Sequence, residues 1–510
     1  MFPIEFLRRS AIAVPDAPAA VDGQRRCTYA ELLARAEALA AGIQAITVKS
    51  HPVVAILGPN SIEMLVALMA IHACGAVLVP LNGRNARPEL DGQIARSSPD
   101  LMIVHNDYLN RFTAGSCPVL IADGDCGDPF STLNVERRHR GGRVRWTAAL
   151  EDMNGIKFTG GSSGVPKGVM QSFRCINTLV ASVLIAFEFT AQERYLCAAP
   201  ITHGAGAMLL PVLARGGCVV MTADPKPDNL LDLIARERIT LTWVPPTLLY
   251  AMIDAQKQHP RCVDSLRHLI WSAAPATPAR LREAQEVFGP VIETLYGQTE
   301  APLILTYARA SDLLDEARLA SVGRRAPLAE VAIFDAEGGR LGPGEIGEVC
   351  VRGDLVMNGY LGMPGETAKV LRDGWLRTGD GGMFDDAGFL YLKDRLRDVI
   401  ISGGFNVYPS DVESIMARHP AVAEVVVFGV PDPYWGERVE AAVELRPGLT
   451  AGERELIEHS KRLAGSVKTP KRVRVVSALP RSPVGKVLRR EARDHAIAAA
   501  EAEAARTYSN

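Results

Sequence analysis

Apolar and polar positions along the first 150 residues follow two periods in turn, one typical of helices and one typical of strands. Residues 28–45 carry apolar side chains at helical spacing behind Thr28, with Glu31 three positions later, which predicts a helix that begins in a capping box. Short apolar runs at 52–58 and 101–105 each predict a strand. A longer apolar run at 64–80 predicts a buried helix followed by a strand. This alternation predicts a largely parallel sheet covered by helices.

The alternation of short apolar runs with polar or Gly/Pro turns returns between residues 195 and 300. Ligands of open α/β sheets bind beyond the carboxyl ends of the strands, so these turns are candidate binding positions. Between 321 and 392 the strands become shorter and are separated by turn sequences such as EGG and GPGE, which predicts a small β-rich subdomain. From 398 onward the pattern predicts an α+β unit in the order strand, helix, strand, strand, helix, strand, helix.

The domain organisation follows from these patterns. They predict an α/β fold in which residues 1–396 form a large N-terminal domain of helix-flanked sheets with the small β-rich subdomain, and residues 397–510 form an α+β C-terminal domain. A chain of 510 residues is too long for one hydrophobic core, which also favours at least two domains. The hinge is expected at 395–398.

Composition and charge exclude several classes of protein. The formal net charge of −2 gives no reason to expect a nucleic acid as partner. The nine cysteines are odd in number and never spaced CxxC, which predicts buried thiols in a reducing cytoplasm rather than disulfides or a zinc site. The first residues lack the order of a secretory signal and the run at 64–80 is too short to span a membrane, so we expect a cytoplasmic protein without an integral membrane segment.

A glycine-rich stretch, TGGSSGVPKG at 159–168, is the strongest local signal of chemistry. Its glycines let backbone N–H groups approach an anion, its hydroxyl groups add donors, and Lys167 adds a full charge, so the stretch predicts a polyphosphate cradle. It is not a Walker loop, because Lys167 is preceded by Pro166 and followed by Gly168. Taken alone, the stretch is equally typical of a surface turn.

Four further motifs follow in order: YGQTE at 296–300, TGD at 378–380, DRLRDVIISGGFNVYP at 394–409 and PRSPVGKVLRR at 480–490. Together with the glycine-rich stretch they resemble the acyl- and aryl-CoA synthetases of the adenylate-forming superfamily, which also contains luciferases and the adenylation domains of peptide synthetases. The resemblance runs from about 159 to 490, and it implies ATP, Mg²⁺ and coenzyme A as cofactors and a mobile C-terminal domain.

The resemblance also implies roles for individual residues in binding ATP. Glu300, next to Thr299, would hold the Mg²⁺ ion, although a solvated surface acid is the alternative. Lys486 would bridge the substrate carboxylate and the α-phosphate, although it stands among arginines that could form a solvated basic face. The remaining positions contact the phosphates, adenine or ribose: Thr159, Gly161, Ser162, Ser163, Gly164 and Lys167 the β- and γ-phosphates; Ala273, Ala274, Pro275, Tyr296 and Gly297 the adenine; Asp380 and Arg395 the ribose. Gly160 departs from the Ser or Thr more usual in the family.

The transfer to a thiol would use a second set of residues. Gly403 and Gly404 resemble the paired glycines that flank the pantetheine tunnel, where a side chain would block the thiol. Because Lys486 and this pair would serve one site at different times, the C-terminal domain would rotate about a hinge that the resemblance places at Arg397. Trp435 offers a stacking surface for the adenine of CoA, or is an ordinary core residue. Nearby basic residues offer phosphate partners or form a solvated strand edge: Lys468, Lys471, Arg472 and Arg474.

The acid pocket is the last feature that the resemblance locates, at His203, where the family has an acid-pocket or gate residue. No aspartate lies between 200 and 207, so an amino acid's ammonium would be buried without a partner, which disfavours amino acids. The expected lining is apolar and indicates a fatty or aromatic acid: Ala205, Met208, Ala273, Ala274, Leu303 and Ile304.

The predicted function is therefore an ATP-dependent, AMP-forming carboxylic acid:CoA ligase. The alternatives are a stand-alone adenylating enzyme that loads a separate carrier protein, a luciferase-like oxidative enzyme without a motif of its own here, and a nucleotide-binding regulator without chemistry. The expected partners are the small carboxylic acid, ATP and CoA, with a homodimer left open as the assembly.

Overall fold

The computed structural model describes residues 1–113, 115, 117–125, 127–159, 166–395, 398–402, 405–432, 434–482 and 485–508. Four sheets and the helices that cover them make up the described chain. Strands and helices are numbered along the chain.

A nine-stranded sheet forms one half of the large N-terminal part. Its strands are β1 (Pro18–Asp22), β2 (Arg25–Thr28), β9 (Arg194–Cys197), β10 (Cys218–Met221), β11 (Leu241–Val244), β12 (His268–Trp271), β13 (Ile292–Gln298), β14 (Ala301–Ala308) and β15 (Arg324–Arg325). Their order is β15-β14-β13-β12-β11-β9-β10-β1-β2. The six strands from β13 to β1 run parallel, so their carboxyl ends share one edge.

A seven-stranded sheet forms the other half. Its strands are β3 (Val53–Leu57), β4 (Val77–Leu81), β5 (Leu101–Val104), β6 (Val119–Ile121), β7 (Met153–Thr159), β8 (Lys167–Ser172) and β18 (Gly359–Tyr360), in the order β18-β8-β7-β4-β3-β5-β6. Val54 and Ile56 of β3 belong to one core cluster, whereas Ala55 and Leu57 belong to another. Both faces are therefore buried, which explains the unbroken apolar run at this strand.

Helices occupy the space between the two sheets and cover their outer faces. Residues of α1 (Pro3–Ala13), α2 (Tyr29–Thr47), α3 (Ile62–Ala73), α6 (Phe173–Phe187) and α8 (Leu209–Ala214) share the core cluster that joins both sheets. On the outer faces lie α9 (Pro227–Glu237), α10 (Pro246–Gln258) and α11 (Pro278–Phe288) on the nine-stranded sheet and α4 (Arg87–Ser97) on the seven-stranded one. The shorter helices are α5 (Thr132–Arg138), α7 (Gly204–Ala207), α12 (Ala310–Leu313) and α13 (Pro364–Val370), with 3₁₀ turns at Asn106–Arg111 and Glu316–Arg318.

The predicted elements of this part are confirmed, including the capping box at Thr28 and Glu31, whose side chain and backbone bond reciprocally. The predicted β-rich subdomain is a five-stranded sheet of β16 (Glu330–Phe334), β17 (Gly347–Arg352), β19 (Leu371–Arg372), β20 (Trp375–Phe384) and β21 (Leu390–Arg395). Two strands of the 321–392 segment were misplaced by that prediction. β15 pairs with β14 and β18 pairs with β8, because a two-residue strand carries no period that could assign it to a sheet.

Beyond Asp398 the described chain forms a fourth sheet with its own core. It contains β22 (Ile400–Ser402), β23 (Phe405–Val407), β24 (Val422–Asp432), β25 (Gly436–Leu445) and β26 (Arg472–Val476), with α14 (Pro409–Met416), α15 (Glu453–Lys468) and α16 (Arg489–Tyr508). Residues of α14 and α15 pack on one face and residues of α16 on the other. The predicted order is confirmed with the addition of β23. The boundary between 396 and 397, with Arg397 as hinge, falls outside the described residues and stays a prediction.

The cysteines only partly follow the expectation of buried thiols. Eight lie in the described chain, all as free thiols, and six of them are buried. Cys262 is exposed and Cys117 is half-buried, because both stand in loops outside the apolar runs. Among the described residues, no helix combines the length and the apolar character needed to cross a membrane.

Candidate active site

The carboxyl edge of the nine-stranded sheet gathers the segments that the sequence singled out. Ser272 and the residues after it follow β12, and Thr299 and Glu300 follow β13. His203 follows β9, and Thr247 follows β11. Parallel strands place these loops side by side, which is the usual position for a ligand in such a sheet.

Glu300 is held from two sides. The Tyr360 hydroxyl donates to Glu300 Oε1 at 2.8 Å, and the Met357 amide donates to the Glu300 carbonyl at 2.8 Å. Gln171 Nε2 donates to the Thr299 carbonyl at 2.8 Å. Because β18 pairs with β8, the seven-stranded sheet fixes the turn that carries both predicted residues. Within the described residues no group of three or more His, Cys, Asp or Glu side chains could hold a metal ion.

The predicted adenine and ribose residues lie together. The Tyr296 hydroxyl donates to Asp380 Oδ2 at 2.7 Å, and Tyr296 is 8% exposed. Asp380 of β20 lies opposite Arg395 of β21 in the strand register. The structure thus brings together three residues that are separated widely in the sequence and that were assigned to one nucleoside.

The backbone geometry at Ala273 and at Gly297 disfavours a larger side chain. Ala273 has φ +74°, a left-handed conformation that an alanine adopts at a cost, and such strain is concentrated at functional sites. A Cβ at Gly297 would lie 2.6 Å from the Leu303 backbone, so a side chain there would collide with β14. Ala273 and Pro275 are exposed and Ala274 is half-buried, so this stretch offers a surface that a flat ring can reach.

Lys167 stands at the end of the glycine-rich loop, opposite Thr159 across β7 and β8. Its ammonium pairs with Glu366 Oε2 at 2.7 Å and lies 4.8 Å from the centre of the Tyr360 ring. Hydrogen bonds from Lys167 and Lys369 lower the pKa of Glu366 to about 2, so this carboxylate stays charged. Gly161, Ser162, Ser163 and Gly164 lie outside the described residues, as do Gly403 and Gly404 of the predicted thiol tunnel.

Lys486 is exposed at the end of a tight turn. Ser482 and Lys486 exchange backbone and side-chain hydrogen bonds, and the Gly485 amide donates to the Ser482 carbonyl at 2.8 Å. A Cβ at Gly485 would lie 3.0 Å from Thr247 Oγ1, so the turn sits against the first turn of α10, at the carboxyl edge. The C-terminal sheet is therefore docked with its lysine turn on the N-terminal part.

His203 lines a cavity, but the lining expected around it is wrong. The cavity is bounded by Leu179, Leu210, Ile201, Gly206 and other residues, and it includes none of Ala205, Met208, Ala273, Ala274, Leu303 and Ile304. Ala205 and Met208 are fully buried in the core between the sheets. Burial, followed by the charges of Lys157 and Arg84, lowers the pKa of His203 to about 4.

Trp435 is 38% exposed, which makes the core alternative wrong. Lys471 Nζ lies 5.3 Å from the centre of its ring, and Tyr434 contacts the ring edge-on. Lys468, one of the predicted phosphate partners, forms an ion pair with Asp411 at 3.0 Å.

The sequence-based assignment missed several side chains of this region. Tyr360 and Glu366 contact the predicted Glu300 and Lys167, yet both come from a segment interpreted only as turns and short strands. Lys157 and Gln171 line the cavity from β7 and β8. A charged residue within the apolar strand 153–158 was the available signal for Lys157.

Comparison with known proteins identifies the family of the chain. The family model of the AMP-binding enzymes matches residues 7–361, and that of the AMP-binding enzyme C-terminal domain matches residues 411–486. A medium/long-chain fatty acid–CoA ligase of Mycobacterium tuberculosis is 42% identical over 339 residues, which are 65% of this chain and 59% of that protein. A feruloyl-CoA synthase of an Amycolatopsis species is 34% identical over 490 residues, covering 95% of this chain and 97% of that protein.

A solved structure extends the likeness to the whole fold. The amide bond synthetase McbA of Marinactinospora thermotolerans superposes with a TM-score of 0.88 at 31% identity, over 96% of this chain and 99% of that one. The resemblance to the adenylate-forming superfamily is thus confirmed, and the chain belongs to the AMP-binding enzyme family.

Proposed function

We propose that this protein is an ATP-dependent, AMP-forming carboxylic acid:CoA ligase that acts on a fatty or aromatic acid through an acyl-adenylate. The observation that carries the proposal is that Tyr360 contacts both Lys167 and Glu300. Glu300 lies four positions after Tyr296, whose hydroxyl donates to Asp380. Relatives named as CoA ligases for a fatty acid and for ferulic acid support it.

The first half-reaction joins two anions. A carboxylate oxygen of the acid attacks the α-phosphorus of ATP, and the bond to the β-phosphate oxygen breaks so that pyrophosphate leaves with the electron pair. Each pair of like unit charges at 4 Å costs roughly 4 kcal/mol at an effective dielectric of 20, so cations must surround the encounter. Lys167 would meet the β- and γ-phosphates, and Lys486 would reach the carboxylate and α-phosphate from its turn on α10.

The residues present fit a Mg²⁺ ion of the kind that accompanies ATP. Mg²⁺ prefers oxygen ligands and is usually bound by one or two carboxylates together with phosphate oxygens. Glu300 offers such a carboxylate, whose Oε1 accepts a hydrogen bond from the Tyr360 hydroxyl. When bound, the ion would neutralise phosphate charge; Tyr360 would keep the Glu300 carboxylate in position.

The second half-reaction replaces AMP by a thiol. The sulfur attacks the acyl carbon, the thiol loses its proton, and AMP leaves with the electrons of the acyl–oxygen bond. We propose that the C-terminal domain rotates between the two half-reactions, since Lys486 and the pair Gly403 and Gly404 would have to act in turn on one site. Trp435, with Lys471 over its ring, would receive the adenine end of CoA.

The acceptor has two alternatives to free CoA. One is a separate carrier protein with a phosphopantetheine thiol. The other is an amine, which the likeness to an amide bond synthetase supports. All three share the acyl-adenylate and differ only in the second half-reaction.

The proposal is tested by AMP release with a panel of fatty, benzoic and cinnamic acids, each with and without CoA. An acyl-CoA product and AMP formation that depends on CoA would support the ligase. If the adenylate accumulates equally with and without CoA and reacts only with a carrier protein or an amine, then that carrier protein or amine, and not free CoA, is the acceptor. Absence of acid-dependent pyrophosphate release for every acid would refute the adenylating function itself.

A further inference from the structure

The cavity beside His203 combines apolar walls with strongly polar groups. It is partly open to solvent, and its empty space, counted together with the solvent at its mouth, is about 590 Å³. Leu179 and Leu210 belong to its apolar walls, whereas Lys157 and Gln171 line it from the adjacent strands β7 and β8. A pocket for a plain hydrocarbon chain would not need these polar groups.

Lys157 reaches the cavity because of strand alternation. Its neighbours Ile156 and Phe158 pack in the cluster on the outer face of the seven-stranded sheet. Successive side chains of a strand point to opposite faces, so Lys157 points into the layer between the two sheets. The backbone position is equally defined, since Lys157 lies opposite Val169 in the register of β7 and β8.

The ammonium of Lys157 lacks a compensating anion within the described part of the chain. None of the carboxylates described there pairs with it, and the buried thiol of Cys175 is the one side chain that raises its pKa. Burial lowers the pKa of Lys157, which means that the charged form is unfavourable as the protein stands. Lys157 is half-buried, and a cation in such surroundings is stabilised when a ligand supplies the opposite charge.

The polar groups around Lys157 suit an oxygen-rich ligand. His72 Nδ1 is hydrogen-bonded to Asn154 Nδ2 at 3.1 Å, and burial together with the Lys157 charge lowers the pKa of His72 to about 4. His72 and His203 are therefore neutral near pH 7, which leaves Lys157 as the cation of the cavity lining. Gln171 donates to the Thr299 carbonyl, so the cavity adjoins the turn that carries Glu300.

We propose that the cavity binds the distal end of a carboxylic acid that bears a second carboxylate, and that Lys157 pairs with this second carboxylate and so determines specificity. The inference rests on the proposed function, because the first carboxylate must be the one that is adenylated. Lys157 and Thr159 of the phosphate loop lie two positions apart on β7, which is about 7 Å of backbone. That spacing suits dicarboxylic acids of about six to eight carbon atoms or a carboxylated aryl-propanoic acid.

Matched pairs of acids test the assignment. The pairs are hexanedioate with hexanoate, octanedioate with octanoate, and 3-(4-carboxyphenyl)propanoate with 3-phenylpropanoate. For at least one pair, we expect the wild-type kcat/KM to favour the dicarboxylate by about tenfold or more, since a site built for a polar group discriminates strongly against an analogue that lacks it. Lys157→Met should lower kcat/KM for that dicarboxylate by about 100-fold and raise it severalfold for the matching monoacid.

Two further measurements separate binding from folding. Lys157→Met should raise the melting temperature of the ligand-free protein, because an uncompensated, half-buried cation is removed, and it should abolish the rise caused by the dicarboxylate. Lys157→Gln should lose the dicarboxylate preference although it keeps a hydrogen-bond donor. Lys461→Met, at an exposed position of α15, is the matched control and should keep the wild-type preference.

Three outcomes would overturn the inference. One is a wild-type preference for the monoacid in every pair. Another is a loss by the same factor for both members of a pair in Lys157→Met, which would place Lys157 at the reacting carboxylate. The third is an equal dicarboxylate-induced melting shift in wild type and Lys157→Met. If no acid at all releases pyrophosphate, the proposed function fails as well; monoacids that react without a dicarboxylate preference leave that function intact and remove this inference alone.

Discussion

The contact between Gly485 and Thr247 gives a direct test of whether the docked lysine turn is the adenylating arrangement. Gly485 has φ +85°, and a Cβ there would lie 3.0 Å from Thr247 Oγ1. An alanine in the left-handed region costs roughly 1 kcal/mol, and the forced contact adds about 1 kcal/mol at the low end of overpacking penalties. The left-handed cost is carried by the turn in every domain arrangement, so only the contact with Thr247 affects the rate; since about 1.4 kcal/mol is a factor of ten, Gly485→Ala should slow acyl-adenylate formation roughly fivefold.

The two costs can be separated by variants. Thr247→Ala in the Gly485→Ala background removes the hydroxyl that the new methyl group meets, so it should recover roughly fivefold of the lost rate. Gly448→Ala is the matched control: Gly448 has φ +80°, and a Cβ there meets nothing within 4 Å. It should lower the melting temperature slightly and leave adenylation within about twofold of wild type.

The assay measures the half-reactions separately. Acid-dependent pyrophosphate release without CoA reports adenylation, and thioester formation from a pre-made acyl-adenylate and CoA reports the second step. If the C-terminal domain leaves this contact for thioester formation, the second step should suffer much less than the first. Equal loss in both steps, or no recovery in the double variant, would refute the reasoning.

Three other predictions concern groups around the phosphate loop and the cavity. Glu366→Gln should lower the KM for ATP a few-fold, because the Glu366 carboxylate pairs with the Lys167 ammonium and so competes with phosphate for it. An unchanged or raised KM would contradict this. Tyr360→Phe should raise the Mg²⁺ concentration needed for half-maximal adenylation about tenfold, since a hydrogen bond to the charged Glu300 is worth about 1.5 kcal/mol; an unaltered Mg²⁺ titration would speak against Glu300 as ligand. The pKa of His72 is lowered to about 4, so between about pH 6.5 and pH 4 the unfolded chain binds a proton that the folded chain excludes, and stability is lost as the pH falls through that window. His72→Gln should reduce this loss of stability by up to about 3 kcal/mol. The melting temperature of the variant should therefore fall less steeply with decreasing pH than that of the wild type, and identical slopes would refute the prediction.

Local patterns determined much of this protein in advance. The helix at Tyr29–Thr47 followed from apolar spacing and a capping box, and the strands at Val53–Leu57 and Leu101–Val104 from short apolar runs. The order of elements after residue 398 followed in the same way. These helices and strands can be predicted from the sequence because the hydrophobic period and helix capping depend only on residues a few positions apart. Membership of the family likewise followed from ordered motifs.

The surroundings of those motifs were decided only by tertiary structure. Glu366 meets Lys167 across 199 positions of sequence, because β18 joins the edge of the seven-stranded sheet beside β8. No period or cap in the sequence specifies such a pairing, so Tyr360 was interpreted as part of a turn. Ala205 and Met208 are apolar and buried as expected, yet neither is among the residues that bound the cavity beside His203. The apolar pattern of a sequence predicts which residues are buried. Which of the buried residues line a cavity, and that Lys157 lines it together with them, depends on how whole helices and strands pack.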